Sequence, residues 1–243
     1  MSIRTPSLVA LTVAAVLAAN AASAQSPAEP AEGLEEIVVT AQKRAENLQD
    51  TPLAITAITG ASIEQYGRDD VAALAFSSPS LAYSEAGGEA QLYIRGVGTN
   101  IFGVGADPSV AINLDGIYLG RPNMGLTQFL DVERVEVLRG PQGILYGRNA
   151  TGGALNIVSR MPTEEFAGYA TLGFGSFSKR ELKAAVSSPL NDNWSYRFAV
   201  RGSHDDGYTK DIDPRGSSKL DDNDLQALRG ILGWKNEAVT ATL

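Results

Sequence analysis

The sequence predicts a mixed α+β domain followed by a series of antiparallel β-strands. Residues 50–161 alternate irregularly between short strand-like and helix-like segments, which are separated by Gly, Pro and Asn. From Phe166 onward apolar and polar residues alternate, as in strands with two different faces. The 25 Gly and the absence of a long amphipathic helical pattern indicate many tight turns between these elements.

The chain begins with the pattern of an export signal. One basic residue, Arg4, precedes the apolar run from Leu8 to Ala19, and small residues follow at Ala22–Ala24 with the spacing that signal peptidase requires. The apolar run is shorter than the roughly 20 residues that a membrane-spanning helix needs. We therefore expect residues 1–24 to be a signal peptide.

Composition argues against several functional classes. The net charge of -8, from 20 Lys+Arg and 28 Asp+Glu, argues against nucleic acid as a partner. The absence of Cys removes disulfide frameworks, thiol catalysis and cysteine-ligated metals. The single histidine, His204, is insufficient for a multi-histidine metal site, and no nucleophile elbow or triad order is present. We expect no enzymatic activity, with no catalytic residue, metal or cofactor.

The first domain is expected to contain two short helices among its strands. A strand is predicted within Pro52–Gly60. Ser62 is expected to cap a helix that Gly67 ends, and Asp69 or Asp70 to cap a second helix. Four further segments have strand character: QLYIRG, VAINLDGIYLG, VERVEVLRG and ALNIVSR.

The alternating region predicts strands near 168–175, 179–187, 194–203 and 225–234, with a stub at 238–243. In the third of these strands, one face carries Trp194, Tyr196, Phe198 and Val200, and the other carries Ser195, Arg197, Ala199, Arg201 and Ser203. A soluble protein would bury the apolar face, whereas an outer-membrane barrel would expose it to lipid, and alternation alone leaves both open.

The lengths of the connections favour the membrane alternative. Tight turns are predicted at Pro189–Asn193 and Lys235–Glu237, and a long polar loop at His204–Asp224. Short turns at one end and long loops at the other are typical of the periplasmic and extracellular rims of an outer-membrane barrel.

The stretch EEIVVTAQKR predicts an isolated strand. Ile37, Val38, Val39 and Thr40 are all β-branched, and no turn or second strand follows closely enough to form a hairpin. None of the four is Pro, so every main-chain N–H is available for pairing. We expect residues 25–49 to be a flexible linker, and the local sequence leaves the partner of its strand open: an ordinary first strand of the following domain pairs within the chain, whereas an interaction strand pairs with another protein.

Several segments together resemble the TonB-dependent outer-membrane receptors. EEIVVTAQKR is similar to a TonB box, placed at 36–41; LYIRGVGTN, INLDGIYLGRP and DVERVEVLRGPQGILYGRNATGGALNIVSR resemble the plug domain in order and spacing. The resemblance implies an α+β plug domain at 50–161, followed at 166–243 by the first antiparallel strands of an incomplete transmembrane β-barrel. Because such transporters have about 22 strands, and hydrocarbon does not satisfy open sheet edges, we expect a fragment or a truncated gene product.

The resemblance also implies candidate residues. The residues expected to bind TonB by strand addition are Glu36, Ile37, Val38, Val39, Thr40 and Ala41. Arg95 and Arg139 match the family positions that lock the plug to barrel carboxylates; pairing with Glu133 or Glu136, or exposure to water, is the alternative. The loop residues expected to contact the ligand are Asn100, Phe102, Asp107, Tyr118, Arg121 and Asn123.

The glycine-rich stretch RGPQGILYGRNATGG has no nucleotide-binding character, because the Gly-Lys-Ser/Thr ending of a phosphate-binding loop is missing. Its glycines are expected to permit sharp turns and close backbone approach; they are Gly140, Gly143, Gly147, Gly152 and Gly153.

The implied function is active uptake of a scarce nutrient, with a ferric siderophore as the expected ligand. The implied partners are TonB, outer-membrane lipid and an extracellular small molecule. The implied location is the outer membrane of a Gram-negative bacterium, with the plug and the TonB box reached from the periplasm. The alternative is a soluble periplasmic β-rich interaction protein with a plug-like domain.

Overall fold

The computed structural model describes residues 37–40, 44, 46–86, 89–100, 107–121, 128–209, 222–236 and 240–242. All of them belong to one compact unit, residues 37–243. The predicted signal peptide therefore lies outside the described residues, as do Glu36, Ala41, Phe102 and Asn123.

The α+β domain contains ten strands and three short helices among the described residues. Its strands are β1 Val38–Val39, β2 Glu46–Asn47, β3 Ile55–Thr59, β4 Leu81–Ala86, β5 Glu89–Ile94, β6 Val97–Gly98, β7 Val110–Leu114, β8 Ile117–Tyr118, β9 Val132–Arg139 and β10 Gly153–Ser159. Its helices are α1 Gly60–Gln65, α2 Val71–Leu74 and α3 Gly143–Tyr146.

A five-stranded sheet in the order β3-β9-β10-β7-β8 forms the centre of this domain. Strand β10 runs parallel to β7 and antiparallel to β9. Val135, Val137 and Leu155 are fully buried in its core, together with Leu74 of α2 and Ile94 of β5. The core thus joins the central sheet to α1 and α2 and to the smaller sheet β4-β5-β6.

The helix starts differ in part from the prediction. Helix α1 begins directly after β3, and the hydroxyl of Thr59 accepts a hydrogen bond from the Ser62 N–H at 3.3 Å. The expectation that Ser62 caps this helix is wrong, because the strand runs into the helix without a loop and its last residue provides the cap. Asp70 caps α2 as predicted, accepting from the Ala73 N–H at 2.7 Å.

Two of the predicted strand segments form β-hairpins, each with a turn of two residues. Arg95 and Gly96 connect β5 to β6 with φ of 52° and 80°, and Asp115 and Gly116 connect β7 to β8 with φ of 49° and 82°. Positive φ at both central positions is the requirement of a type I′ turn, whose twist matches that of the flanking strands. Arg95 therefore lies at the tip of a hairpin.

The alternating region forms an antiparallel sheet in chain order, which confirms the predicted strands. Its members are β11 Ala167–Phe174, β12 Arg180–Pro189, β13 Trp194–Asp205, β14 Asn223–Lys235 and β15 Thr240–Thr242. Arg197 and Arg201 are buried against the α+β domain, whereas Phe198 and Leu228 are exposed. The polar face therefore lies inside and the apolar face outside.

Among the described residues, no helix combines the length and the apolar character needed to cross a bilayer.

Candidate functional site

Strand β1 has a partner within the chain. Val38 pairs with Asn47 and Val39 with Glu46 in antiparallel register, and the Leu48 N–H donates to the Ile37 carbonyl at 2.9 Å. This pairing differs from the expectation of a strand without a hairpin partner. Strand β2 is two polar residues long and has no strand pattern of its own, so sequence periodicity does not reveal it.

One side chain of β1 anchors the strand to the α+β domain. Val39 is 0% exposed, whereas its neighbour Val38 is 42% exposed. Val39 packs in an apolar cluster with Ala111, Leu138, Ala150 and Ala154. Burying a side chain of this size contributes roughly 1.5–3 kcal/mol, and Ile37 packs against the same cluster.

A buried carboxylate holds the residue after β1. The Thr40 N–H donates to Glu136 Oε1 at 2.7 Å, and the Thr40 hydroxyl lies 3.2 Å from the same oxygen. Arg134 Nε also donates to this oxygen at 2.9 Å, while Glu136 itself is 0% exposed. Arg134 therefore balances the charge of Glu136 independently of Thr40.

The other carboxylate oxygen of Glu136 connects to a polar network inside the domain. Asn156 donates to Glu136 Oε2 at 3.3 Å and to the Tyr146 hydroxyl at 2.7 Å, and Asn113 donates to Asn156 at 3.3 Å. Burial raises the pKa of Tyr146; the Asn156 hydrogen bond opposes this shift, and the charge of Glu136 adds to it. We call Thr40, Arg134, Glu136 and Asn156 the docking network.

The two predicted lock residues occupy different environments. Arg95 is exposed, and within the described part of the chain its side chain makes no hydrogen bond or ion pair. Arg139 donates to the main-chain carbonyls of Ala54 at 3.2 Å and Ile55 at 3.3 Å, at the start of β3. Pairing of either residue with barrel carboxylates stays a prediction.

Neither alternative carboxylate accepts from the lock residues. Glu133 and Glu136 both pair with Arg134, a residue between them on β9 that the sequence analysis did not single out.

The structure brings two of the predicted ligand residues to the same loop after α3. Asp107 lies 3.2 Å from Arg148, and the Tyr118 hydroxyl accepts a hydrogen bond from Asn149 at 2.6 Å. The other two described members, Asn100 and Arg121, are exposed. The assignment of all these residues to a ligand site stays a prediction.

Sequence reasoning missed the ion pairs between the α+β domain and the antiparallel sheet. Asp131 accepts two hydrogen bonds from Arg197, at 2.6 and 2.7 Å, and one from the Tyr169 hydroxyl at 3.3 Å. Arg229 lies 3.9 Å from the same carboxylate and donates to the main-chain carbonyls of Leu130 and Asp131.

A second group of ion pairs lies at Asp69, the residue before the α2 cap. Lys183 contacts Asp69 at 2.6 Å and Arg201 contacts it at 3.3 Å. Arg201 also pairs with Glu181 at 2.8 Å and donates to the Phe129 carbonyl at 2.6 Å. The signal for both groups was the arginines on the polar face of β13, which need anionic partners when buried.

Part of this architecture matches a known family model. The profile described as TonB-dependent Receptor Plug Domain matches residues 47–154. The ferripyoverdine receptor of Pseudomonas aeruginosa is 28% identical over 173 residues, and the vitamin B12 transporter BtuB of Vibrio vulnificus is 28% identical over 189 residues. These alignments cover 71% and 76% of this chain.

Solved structures agree with the sequence relatives. The ferric yersiniabactin uptake receptor FyuA of Yersinia pestis superposes with a TM-score of 0.70 at 26% identity, over 76% of this chain and 29% of that chain. The pyoverdine receptor FpvA of Pseudomonas aeruginosa, at 22% identity, shares the fold with a TM-score of 0.69, over 84% of this chain and 29% of that chain.

The chain spans only part of its relatives, namely 21% of the ferripyoverdine receptor and 30% of the vitamin B12 transporter. The family match runs from the last residue of β2 to the second residue of β10 and ends before the antiparallel strands β11–β15. Residues 47–154 are therefore similar to the plug domain of TonB-dependent outer-membrane receptors.

Proposed function

We propose that this chain forms the plug and the first wall strands of a receptor that imports a ferric siderophore across the outer membrane when TonB engages it. The observation that carries the proposal is the docking of β1, whose pairing with β2 involves only two residues on each strand. Relatives named as ferripyoverdine and ferric yersiniabactin receptors support the ligand class.

In this proposal TonB binds β1 by strand addition and replaces β2. A main-chain ladder suits the exchange, since it depends on backbone groups and on β-branched residues that favour the extended form. Release of β1 exposes Val39 and frees Thr40 from Glu136, and new main-chain hydrogen bonds to TonB offset these losses. The buried Glu136 keeps Arg134 and Asn156 as partners throughout.

The exposed apolar face of the antiparallel sheet supports a position in lipid. Phe198, Leu182 and Leu228 are exposed there, while the arginines face the plug. A soluble periplasmic protein would bury these side chains, so the alternative is not favoured. The short turn at 190–193 then faces the periplasm, and the opposite end of β13, at Asp205, faces the exterior.

The proposal is tested with Val38→Pro in the receptor as expressed in the outer membrane. Proline removes one main-chain donor and fixes φ, so the ladder with TonB breaks. Ligand binding at the exterior does not involve β1, and we therefore expect normal binding of a ferric siderophore with loss of its import. Val38→Ile preserves the backbone and the β-branched shape and is the matched control.

Binding and import are measured on the same cells with the outer-membrane amount of each variant determined, because a folding defect lowers both. Cobalamin is offered in parallel, since one relative is named as a vitamin B12 transporter. Import by Val38→Pro at the parental rate would show that β1 is not the coupling strand. Import of cobalamin without import of any ferric siderophore would overturn the ligand class.

A further inference from the structure

Helix α3 lies in a loop whose two ends are joined by main-chain hydrogen bonds. The Gly140 N–H donates to the Gly152 carbonyl at 3.2 Å, and the Gln142 N–H donates to the Ala150 carbonyl at 2.8 Å. Gln142 and Ala150 are both buried. We call residues 140–152 the α3 loop. Because its base is closed and packed, a displacement at one position of the loop reaches the others.

The α3 loop forms part of the surface on which β1 docks. Ala150 belongs to the same buried cluster as Val39, and the Tyr146 side chain packs against that cluster. A shift of the loop therefore removes apolar contacts from Val39, the residue through which β1 is buried.

The hydroxyl of Tyr146 connects the α3 loop to Glu136 through one amide group. Asn156 Nδ2 donates to the Tyr146 hydroxyl at 2.7 Å and to Glu136 Oε2 at 3.3 Å, which together use both N–H groups of the amide. The amide oxygen accepts from Asn113 at 3.3 Å. The Tyr146 hydroxyl thus fixes the orientation in which Asn156 reaches Glu136. The other oxygen of Glu136 holds β1, because it accepts from the Thr40 N–H at 2.7 Å.

Another part of the α3 loop contacts residues that the sequence analysis assigned to the ligand. Asn149 donates to the Tyr118 hydroxyl at 2.6 Å. Arg148 lies 3.2 Å from Asp107, but these side chains are 84% and 59% exposed, and exposed ion pairs contribute little. The contact with Tyr118 is therefore the stronger of the two.

We propose that the α3 loop couples Tyr118 to the docking of β1, with Tyr146 positioning Asn156 within the docking network. A group that takes the Tyr118 hydroxyl from Asn149 frees the loop at this contact. The freed loop then holds Val39 and the docking network less firmly, so β1 leaves more often. The inference rests on the proposed function for the identity of that group, a polar group of the imported ligand, and for the use of the released strand by TonB.

The test is the rate at which a maleimide labels Val39→Cys in the membrane-embedded receptor, measured by mass spectrometry of the peptide that contains residue 39. Tyr146→Phe removes the hydroxyl and keeps the ring, and the loss of this hydrogen bond should raise the rate about fivefold. Asn149→Ala should also raise it, because the loop is then released from Tyr118. Since both changes act through one loop, the double variant should fall short of the product of the two single effects.

Val137→Cys is the matched control thiol, because Val137 is also fully buried but lies within the central sheet, on β9. Its rate should stay unchanged, whereas a general loosening of the domain raises both rates. Arg148→Ala is the control substitution in the same loop and should leave the Val39→Cys rate unchanged. An unchanged Val39→Cys rate in Tyr146→Phe or in Asn149→Ala would overturn the proposal. Equal increases at the two thiols, or effects that multiply in the double variant, would do the same.

The labelling requires neither TonB nor a ligand, so its outcome is independent of import by Val38→Pro. A negative labelling result in a receptor that passes the import test removes the coupling through the α3 loop alone. Import by Val38→Pro at the parental rate instead removes the proposed function.

Discussion

Asp131 of the plug domain and Arg197 of β13 form a two-pronged ion pair, with N–O distances of 2.6 and 2.7 Å. Their side chains are 1% and 7% exposed. The pair joins residues 66 positions apart in the chain and fixes the plug domain to the inner face of the antiparallel sheet. Asp131 also has a φ of 50°, a conformation that Asp and Asn adopt more readily than other non-glycine residues.

Replacing Asp131 by Asn should loosen the plug. The substitution keeps the shape and tolerates the positive φ, but it leaves Arg197 without its charge partner, at a cost of about 3–5 kcal/mol for a buried pair. We expect faster protease cleavage of the plug domain in the membrane-embedded receptor. Asp192→Asn, in the exposed turn between β12 and β13, should leave cleavage unchanged. Equal cleavage in both variants would contradict the anchoring role of Asp131.

The docking of β1 predicts unequal labelling of two neighbouring positions. Because these 243 residues contain no cysteine, a thiol introduced at either position is the only one in this part of the receptor. Val38→Cys should react with a maleimide at least tenfold faster than Val39→Cys in receptor free of TonB, since only Val39 is fully buried. Adding Glu136→Gln weakens the hold on Thr40 and should bring the Val39→Cys rate towards that of Val38→Cys. Similar rates for the two single-thiol variants would contradict the docked strand.

A substitution of Arg139 distinguishes a stabilising role of its side chain from a role in locking the plug. Its side chain now donates to the carbonyls of Ala54 and Ile55, so Arg139→Gln should lower stability by about 1.5–3 kcal/mol through loss of charged hydrogen bonds alone. If Arg139 also locks the plug to barrel carboxylates, the same variant should increase antibiotic entry into cells. Stability loss without increased entry would restrict Arg139 to holding β3.

A test of Arg95 requires a substitution that tolerates its positive φ. Because φ is 52°, an Ala at this position would be as strained as any other non-glycine residue. Asn tolerates the left-handed region better and removes the charge. Arg95→Asn should therefore increase antibiotic entry if the lock prediction holds, without altering the hairpin. Unchanged entry and unchanged protease cleavage would leave Arg95 as a turn residue.

The glycines near α3 are not equivalent. Gly153 has a φ of 148°, and a Cβ there would lie 2.3 Å from the Leu138 carbonyl oxygen, so Gly153→Ala should destabilise the plug by roughly 1–3 kcal/mol. A Cβ at Gly143 would meet nothing within 4 Å, and Gly143→Ala should be neutral or slightly stabilising. Thermal unfolding of the two variants distinguishes these cases, and equal midpoints would contradict the close contact at Gly153. The expectation of a steric role for Gly143 is wrong, because that residue begins a helix in open space.

Alternation along β13 was sufficient to predict the strand and its two faces, but not which face lies inside. That choice depends on what the faces meet, and the answer lies in Asp131 and Asp69, which are 66 and 132 residues away from Arg197 and Arg201. Interactions over such separations leave no local pattern. A buried arginine on an alternating strand nevertheless indicates that a carboxylate must lie opposite it.

Strand β1, in contrast, was predictable because its signal is local. Ile37 to Thr40 have strong local strand character, so the strand is visible in the sequence. Its pairing with β2 and its contact with Glu136 depend on tertiary packing around Val39, so sequence periodicity does not predict them. Thr59 was missed as a cap because a helix that follows a strand directly has no loop signal before it.

The pairing of β1 with β2 makes recognition of β1 by any outside strand a competition. The apparent Kd of such a partner equals its intrinsic Kd divided by the fraction of chains in which β1 is free. If that fraction is about 1%, affinity falls about 100-fold, equivalent to about 2.7 kcal/mol. A change elsewhere in the plug that shifts this fraction therefore alters recruitment without touching the recognised residues, and Glu136, at the junction of β1 with the central sheet, is placed to transmit it.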